Sequence, residues 1–564
     1  MSPFSPVVLA HVRANAPALA AGVLDYPRLL GEYGAQFDFY DSRRHLAALP
    51  GPELTEKIRA RAGVLAARGL DAGDRILMVA NSTEAYLTTL LAALLLGAVP
   101  CAVAPPPAPS RSDSAGVRHL RAAIDVVGPK LVVVPAAAVA AVHHDAAAGP
   151  HTAVLRYEDL SGGLGRPLPP RPPAQPHDIH HIQLTSGSTS EPKAVLLTHR
   201  NVAHNLGLLA YSMSVQPGSD RMFSWLPLYH DMGLVMVLGG LFYGAPVALM
   251  SPLGFLRDPL SWVRHMTSHR STVTAGPTFA YRAVTEALRR SAAGGADIDL
   301  TALRHAFVGA EPIAHQTLCD FAENLGPLGL RSDALVPCYG MAESVLATTL
   351  ALRPAPEGPG NFGRVRVLTP DRGDAPVVSC GPPIEGMRIA IVDSVGSEVS
   401  PGTVGDIRIS GHSLMAGYRY ADGTVAAPPG GWHDTGDRGL LCDGELFVVG
   451  RSKEMLIIRG RNLPPYDVEG AVGDIPGVGQ GNAVVFSVSG GGQGAERNVA
   501  VVGTAAADDG QRTRLRAQVA EAVRGIFGFT LDDVVLVPRR AIPRTTSGKT
   551  QRVKVRELYL SGGW

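Results

Sequence analysis

The sequence predicts an α/β protein with a smaller α+β unit at its C-terminal end. Three observations predict it. Short apolar runs alternate with helical patterns along most of the chain. Several runs are β-branched and unbroken by polar residues, as strands of a buried parallel sheet should be. After about Gly450 the pattern changes to two paired strands, a helix and a further strand.

In chain order, Arg75–Ala80 reads as a strand, followed by a helix that Asn81 or Ser82 would cap and that runs through Leu96. Further strands are expected at Lys130–Pro135, Ile179–Leu184, Ala194–Leu197, Ala245–Met250, Ser271–Ala275 and His305–Val308. The Pro-rich stretches Pro100–Pro109 and Pro167–Pro176 read as ordered surface loops. Met232–Leu256 is uncharged and long enough to span a membrane, but its glycines and prolines break it up. A buried helix, a turn at Tyr243–Gly244 and a buried strand explain it better, and no integral membrane association is expected. In the tail, Asn482–Val488 and Asn498–Thr504 read as strands joined through Gly490–Gly494, with a helix at Arg512–Ile526 and a strand at Asp533–Val537. That unit is large enough to fold by itself.

Composition narrows the function classes. The 564 residues are 46% hydrophobic and 18% charged, which excludes a disordered chain and a coiled coil. Lys+Arg 51 against Asp+Glu 50 leaves a net charge of +1, so no global field draws the chain to nucleic acid. The five cysteines (Cys101, Cys319, Cys338, Cys380 and Cys442) are scattered with no C-x-x-C pair, which reads as buried thiols in a reducing compartment. Met1–Ala10 lacks a basic region ahead of its apolar run, so no signal peptide is expected. The expected location is the cytoplasm.

The sharpest local feature is Leu184-Thr185-Ser186-Gly187-Ser188-Thr189-Ser190-Glu191-Pro192-Lys193, which lies between two expected strands. Its hydroxyls, glycine and successive backbone N–H groups suit an anion-binding nest, with Lys193 as a point charge. The G-x-x-x-x-G-K-[ST] spacing of a Walker A loop is absent. Alone, such a cluster is more often an ordinary polar turn.

Six further motifs accompany it in order: Trp225-Leu-Pro-Leu-Tyr-His230-Asp231-Met-Gly-Leu, Gly309-Ala310-Glu311-Pro, Tyr339-Gly340-Met341-Ala342-Glu343-Ser, Trp432-His-Asp-Thr-Gly-Asp437, Gly450-Arg451-Ser-Lys453 through Gly460-Arg-Asn462, and Pro543-Arg-Thr-Thr-Ser-Gly548-Lys549. On these motifs the chain resembles the adenylate-forming superfamily of acyl-CoA synthetases, luciferases, peptide-synthetase adenylation domains and fatty-acyl-AMP ligases. It looks most like the fatty-acyl-AMP ligases, through Leu226–Leu234, Gly276-Pro-Thr-Phe-Ala-Tyr281, Asp443–Phe447 and Gly460–Asn462.

The resemblance implies a large multi-subdomain N-terminal α/β domain, residues 1–450, that binds ATP and the acid, and a small mobile C-terminal lid domain, residues 451–564, hinged at Lys453. It implies ATP and Mg²⁺ as cofactors, with Glu343 as the metal carboxylate, and Lys549 and His230 in the catalytic set. Thr185, Ser186, Gly187, Ser188, Thr189 and Lys193 would meet the phosphates. Gly309, Ala310, Glu311, Tyr339, Gly340, Met341 and Ala342 would bind the ATP, with Tyr339 packing against the adenine, and Asp437 would accept from the ribose hydroxyls with Arg451 close by. His230, Asp231, Gly276 and Tyr281 would line the acid.

The implied reaction joins a fatty or related carboxylic acid to AMP, then passes the acyl group to the phosphopantetheine thiol of a holo acyl carrier protein. Two alternatives stay open: an acyl-CoA synthetase using free CoA, and an enzyme that activates amino or aryl acids. Only six of the cations are lysines (Lys57, Lys130, Lys193, Lys453, Lys549 and Lys554), and half of them fall inside motifs. A compact ammonium approaches a single phosphate or carboxylate oxygen in a way a planar guanidinium does not.

Overall fold

The computed structural model describes residues 4–106, 115–139, 152–161, 168, 173–186, 192–291, 294–369, 376–452, 454–458, 461–489, 496–506, 508–544 and 550–564. Strands β1 (Gln36–Tyr40) and β2 (His45–Pro50) come first, then β3 (Arg75–Val79), β4 (Val99–Val103), β5 (Leu131–Val134) and β6 (Ala153–Arg156). They are followed by β7 (Ile179–Ser186), β8 (Pro192–Thr198), β9 (Met222–Ser224), β10 (Val247–Met250), β11 (Val273–Gly276), β12 (His305–Val308), β13 (Leu335–Gly340) and β14 (Ala347–Leu350). A ribbon of β15 (Val367–Leu368) and β16 (Val377–Val378) leads into β17 (Met387–Val392), β18 (Gly405–Gly411), β19 (Gly417–Arg419), β20 (Val425–Ala426), β21 (His433–Cys442) and β22 (Glu445–Arg451). The tail holds β23 (Leu456–Ile458), β24 (Arg461–Leu463), β25 (Ala483–Ser489), β26 (Glu496–Thr504) and β27 (Asp533–Pro538).

Two eight-stranded sheets dominate. One runs β14-β13-β12-β11-β9-β10-β1-β2, the other β20-β19-β8-β7-β4-β3-β5-β6. Each has a parallel centre; the first is antiparallel at both margins, the second only at its β8-β19-β20 margin, since β6 at the other edge pairs parallel with β5. Their central strands are buried along their whole length, as in Leu131–Val134 and His305–Val308, because helices cover both faces. A third, antiparallel sheet runs β17-β18-β21-β22. The tail has its own core of Leu456, Val468, Val485, Val502, Val519 and their neighbours, around β25-β26-β27. The protein is thus α/β, with a large N-terminal and a smaller C-terminal domain.

The expected strands lie within a few residues of the observed ones. The apolar run after His230 is the helix Asp231–Phe242, a turn and β10, and no helix among the described residues is long and apolar enough to cross a membrane.

Three expectations are corrected, and one pairing is added: β8 forms an antiparallel hairpin with β7, with Thr185 opposite Lys193. The helix Glu84–Leu95 is capped by Thr83, whose Oγ1 accepts from the Tyr86 amide at 3.3 Å, rather than by Asn81 or Ser82; Asn81 instead accepts from the Thr83 hydroxyl. Pro100 is no loop residue but the second residue of β4, between β3 and β7. Its missing N–H is tolerated because pairing with β7 starts only at Cys101. Finally, all five cysteines are free, yet only Cys101 and Cys380 are fully buried. Cys101–Val103 continue β4 beyond Pro100, while residues 107–109, residues 167 and 169–172 and the Gly490–Gly494 connection lie outside the described residues.

Candidate active site

The motif residues gather where β7, β12 and β13 end, at the carboxyl edge where α/β sheets bind ligands. Thr185 and Ser186 finish β7, and Lys193 faces Thr185 from β8. The Lys193 Nζ lies 5.1 Å above the ring of Tyr418. Tyr418 in turn donates its hydroxyl to Glu343 Oε1 at 2.5 Å. Burial, then the Glu343 charge, push the Tyr418 phenol above its ordinary pKa, so it stays a donor. The His433 ring sits 6.1 Å from that of Tyr418, and burial holds its pKa below the usual imidazole value.

A second group lies across β13 and the third sheet. Tyr339 donates to Asp437 Oδ2 at 2.8 Å, and Arg451 Nε lies 3.2 Å from Asp437 Oδ1. Asp437 and Arg451 are register partners in the β21–β22 ladder. Asp437 is only 8% exposed, and burial raises its pKa against the opposing pull of Arg451 and Tyr339. Its own amide bonds to Thr435 Oγ1 at 3.1 Å. An aromatic face beside an acceptor carboxylate suits a nucleoside: the ring can stack a base and the carboxylate can accept from sugar hydroxyls.

Close backbone approach shapes the loops between these groups. A Cβ on Gly309 would lie 2.9 Å from Cys338 O, and one on Gly340 would lie 1.6 Å from Leu346 O. Glycine alone lets β12 and β13 leave the sheet side by side. Ala310 takes a left-handed φ of 64° between them. Glu311 Oε1 accepts from the Phe279 amide at 2.5 Å, at the start of the helix Thr278–Arg290, and so ties the exit of β12 to that of β11. Met341 and Ala342 enter the single turn Ala342–Ser344 that carries Glu343.

His230 immediately precedes the helix Asp231–Phe242, held near β7 because Gln183 Nε2 donates to the neighbouring Tyr229 carbonyl at 2.6 Å. Asp231 Oδ1 accepts from the Met232 amide at 2.7 Å. Gly276 ends β11, and a Cβ there would meet Trp262, Ala280 and Tyr281. Tyr281 stands behind the site: it is fully buried and its hydroxyl donates to Phe307 O at 2.7 Å, so it packs under Gly276. Gly187, Ser188, Thr189, Lys453 and Lys549 lie outside the described residues.

Sequence reasoning missed Tyr418. It sits on the three-residue β19, opposite Val195 of β8, and no spacing around it marks it. Only its contacts with Glu343 and Lys193 reveal it. Gln183 and Asn205 were missed for the same reason: each holds a loop from a distant element.

The chain belongs to the AMP-binding enzyme family, whose profile matches residues 51–419. Within it, the chain resembles fatty-acid ligases. It is 34% identical over 522 residues to Rv1013 of Mycobacterium tuberculosis, a protein assigned as a ligase, covering 89% of this chain and 92% of that one. It is 34% identical over 424 residues to JamA of Moorena producens, a medium-chain-fatty-acid–[acyl-carrier-protein] ligase, covering 70% of this chain and 69% of that one. A solved structure from work on the fatty acyl-adenylate ligases of E. coli and L. pneumophila superposes with a TM-score of 0.86 at 29% identity, over 96% of this chain and 98% of that one.

Proposed function

We propose that this chain is a fatty-acyl-AMP ligase: with ATP it converts a fatty or related carboxylic acid to acyl-AMP and pyrophosphate, then transfers the acyl group to the phosphopantetheine thiol of a holo acyl carrier protein. The observation that supports it best is the adjacency of two groups, Tyr339–Asp437–Arg451 for a nucleoside and Lys193–Tyr418–Glu343 for its phosphates, over the ends of strands from both sheets. The carrier-protein ligase JamA supports the acceptor.

In the first step a substrate carboxylate oxygen bonds to the α-phosphorus, the bond from that phosphorus to the bridging oxygen breaks, and pyrophosphate leaves with the electron pair. The protein contributes position and charge rather than covalent chemistry. Asp437 and Tyr339 hold the nucleoside, and Thr185, Ser186, Gly187, Ser188, Thr189 and Lys193 meet the phosphates. His230 and Asp231 border the acid with Gly276, and Lys549 donates to the oxygens gaining charge. In the second step the thiol sulfur bonds to the acyl carbon, the carbon–oxygen bond to AMP breaks, and the thiol proton passes to solvent.

Among the described residues no three metal-ligating side chains converge, so the donor set does not suit a metal caged by protein alone. It does suit Mg²⁺ arriving on the phosphates, which keeps most of its ligands in phosphate and water and takes one carboxylate, Glu343. There it would neutralise phosphate charge. We place the domain division between residues 450 and 451, with Lys453 as the hinge on which residues 451–564 swing between the two steps. The chain would work in the cytoplasm, where ATP and carrier proteins are at hand.

The test offers the enzyme ATP, an acid library and equal amounts of free CoA and holo carrier, with products quantified by mass spectrometry. Acyl-carrier as the dominant product supports the reading. Acyl-CoA as the dominant product moves the chain to the synthetase branch, and no pyrophosphate release with any acid overturns the adenylation itself.

A further inference from the structure

Val345, two residues beyond Glu343, is held at φ 69° and ψ −60°. The Leu346 amide donates to Ser344 O at 2.9 Å across it, closing a three-residue γ-turn. This hand of γ-turn is the rare, strained one, and a β-branched residue there is an outlier. Such strain persists only where the surroundings over-determine it.

They do so here. Val345 is 1% exposed and packed into the main core. Asn205 Nδ2 donates to Ser344 O at 3.3 Å and to Ala347 O at 2.9 Å, gripping the turn on both sides. Thr348 Oγ1 bonds Ser344 Oγ at 2.8 Å. The turn drives Leu346 O into the space that a side chain on Gly340 would fill. Its effect is to stop the helical turn Ala342–Ser344 after a single winding and send β14 straight back along β13. Glu343 is left at the crest, its carbonyl bonded by the Met415 amide at 2.8 Å and its carboxylate by Tyr418.

We propose that Val345 is a positioning residue for Glu343: its strained turn fixes the backbone on one side of the carboxylate while Met415 and Tyr418 fix it on the other. The inference rests on the reading of Glu343 as the carboxylate facing the nucleotide's metal. Relaxing the turn would let the helical winding continue and rotate Glu343 out of line.

Two variants separate strain from packing. Val345→Ala and Val345→Gly both remove the buried side chain, but only glycine removes the backbone conflict. Expected first, on protein without nucleotide, is that Val345→Gly melts above Val345→Ala, the reverse of the usual order at ordinary φ. Expected second is that Val345→Gly, which favours the same turn, keeps the wild-type Mg²⁺ dependence of pyrophosphate release. Val345→Ala keeps the backbone conflict but loses the packing that holds the turn, so it should need more Mg²⁺ and adenylate roughly ten- to a hundredfold more slowly, the scale of an ångström's misplacement. An alanine variant that melts at or above the glycine variant would show that no strain is stored. Equal Mg²⁺ midpoints and rates in the two variants would show that the turn at Val345 does not position Glu343. Wild type and Glu343→Gln run alongside: a wild type without adenylation would overturn the functional reading, while the melting comparison still reports on the turn.

Discussion

The hydroxyl of Tyr339 and the carboxylate of Asp437 are 98 residues apart in the chain and 2.8 Å apart in space. That bond joins the end of a parallel strand in one sheet to the middle of an antiparallel strand in another. Both groups are buried, and burial pushes both pKa values upward, so each has a reason to keep the other as its partner until a ligand competes.

Asp437→Ala removes the acceptor that we assign to the sugar hydroxyls. Hydrogen bonds to a charged group contribute about 1.5–3 kcal/mol, so the KM for ATP should rise roughly ten- to a hundredfold, with a smaller change in kcat. Tyr339→Phe keeps the ring and should change KM far less. Initial rates of pyrophosphate release over an ATP titration decide it, and an unchanged KM for Asp437→Ala would take that carboxylate out of the nucleotide site.

Tyr418→Phe deletes the hydroxyl that holds Glu343. The loss of one charge-assisted bond at a half-buried position should destabilise the protein by about 1–2 kcal/mol and slow adenylation while leaving Asp437 untouched. Urea unfolding and the pyrophosphate assay measure the two effects separately. A stability loss with full activity would make Tyr418 a purely structural support.

Lys549→Ala should cut acyl-AMP formation by roughly 10²–10³, the scale for one preorganised donor. Thioester formation from supplied acyl-AMP should fall much less, because the lysine is assigned to the first step only. Equal losses in both half-reactions, measured by mass spectrometry, would contradict that division.

The fourth expectation concerns acid. His180 and His181 face each other with Nδ1 atoms 2.7 Å apart, the His199 ring lies 5.0 Å from that of His180, and Tyr26 bonds His180 Nε2 at 2.8 Å. Burial pushes all three imidazoles down, His181 to about 3 and His199 to about 4. The unfolded chain, with histidines near 6.5, therefore binds more protons than the folded one as pH falls. The stability these groups contribute is intact above pH ~6.5 and is lost progressively as pH drops towards ~3. Urea midpoints between pH 7.5 and 4 should fall accordingly, and His199→Gln should flatten the slope. Equal slopes would place the acid sensitivity elsewhere.

Much of this was legible in the sequence. Runs such as Leu131–Val134 and His305–Val308 are too apolar and too short to be anything but buried strands. Tyr339, Glu343, Asp437 and Arg451 stood out because each sits in a motif of fixed local spacing. What escaped depends on pairing between distant segments. Ala194–Leu197 is apolar enough for a parallel strand, and only the hairpin with β7 makes it antiparallel. Pro100 reads as a loop residue until one sees that β7 pairs beyond it. Tyr418 and Asn205 carry no local mark, since their roles exist only after the third sheet and β14 have been laid against β8 and the helix His199–Ser212.

The pairing of β19 with β8 also bears on how the chain comes into being. The sheet that starts at Arg75 acquires its last two strands only at Gly417–Arg419 and Val425–Ala426, after the whole of the other eight-stranded sheet has been made. At ordinary rates of synthesis, β8 waits on the order of ten seconds or more for its partner. Throughout that interval it presents an open apolar edge beside the hydroxyl-rich loop, a template for wrong pairing. The site's Lys193 and Tyr418 thus meet late, at the close of a long-range assembly.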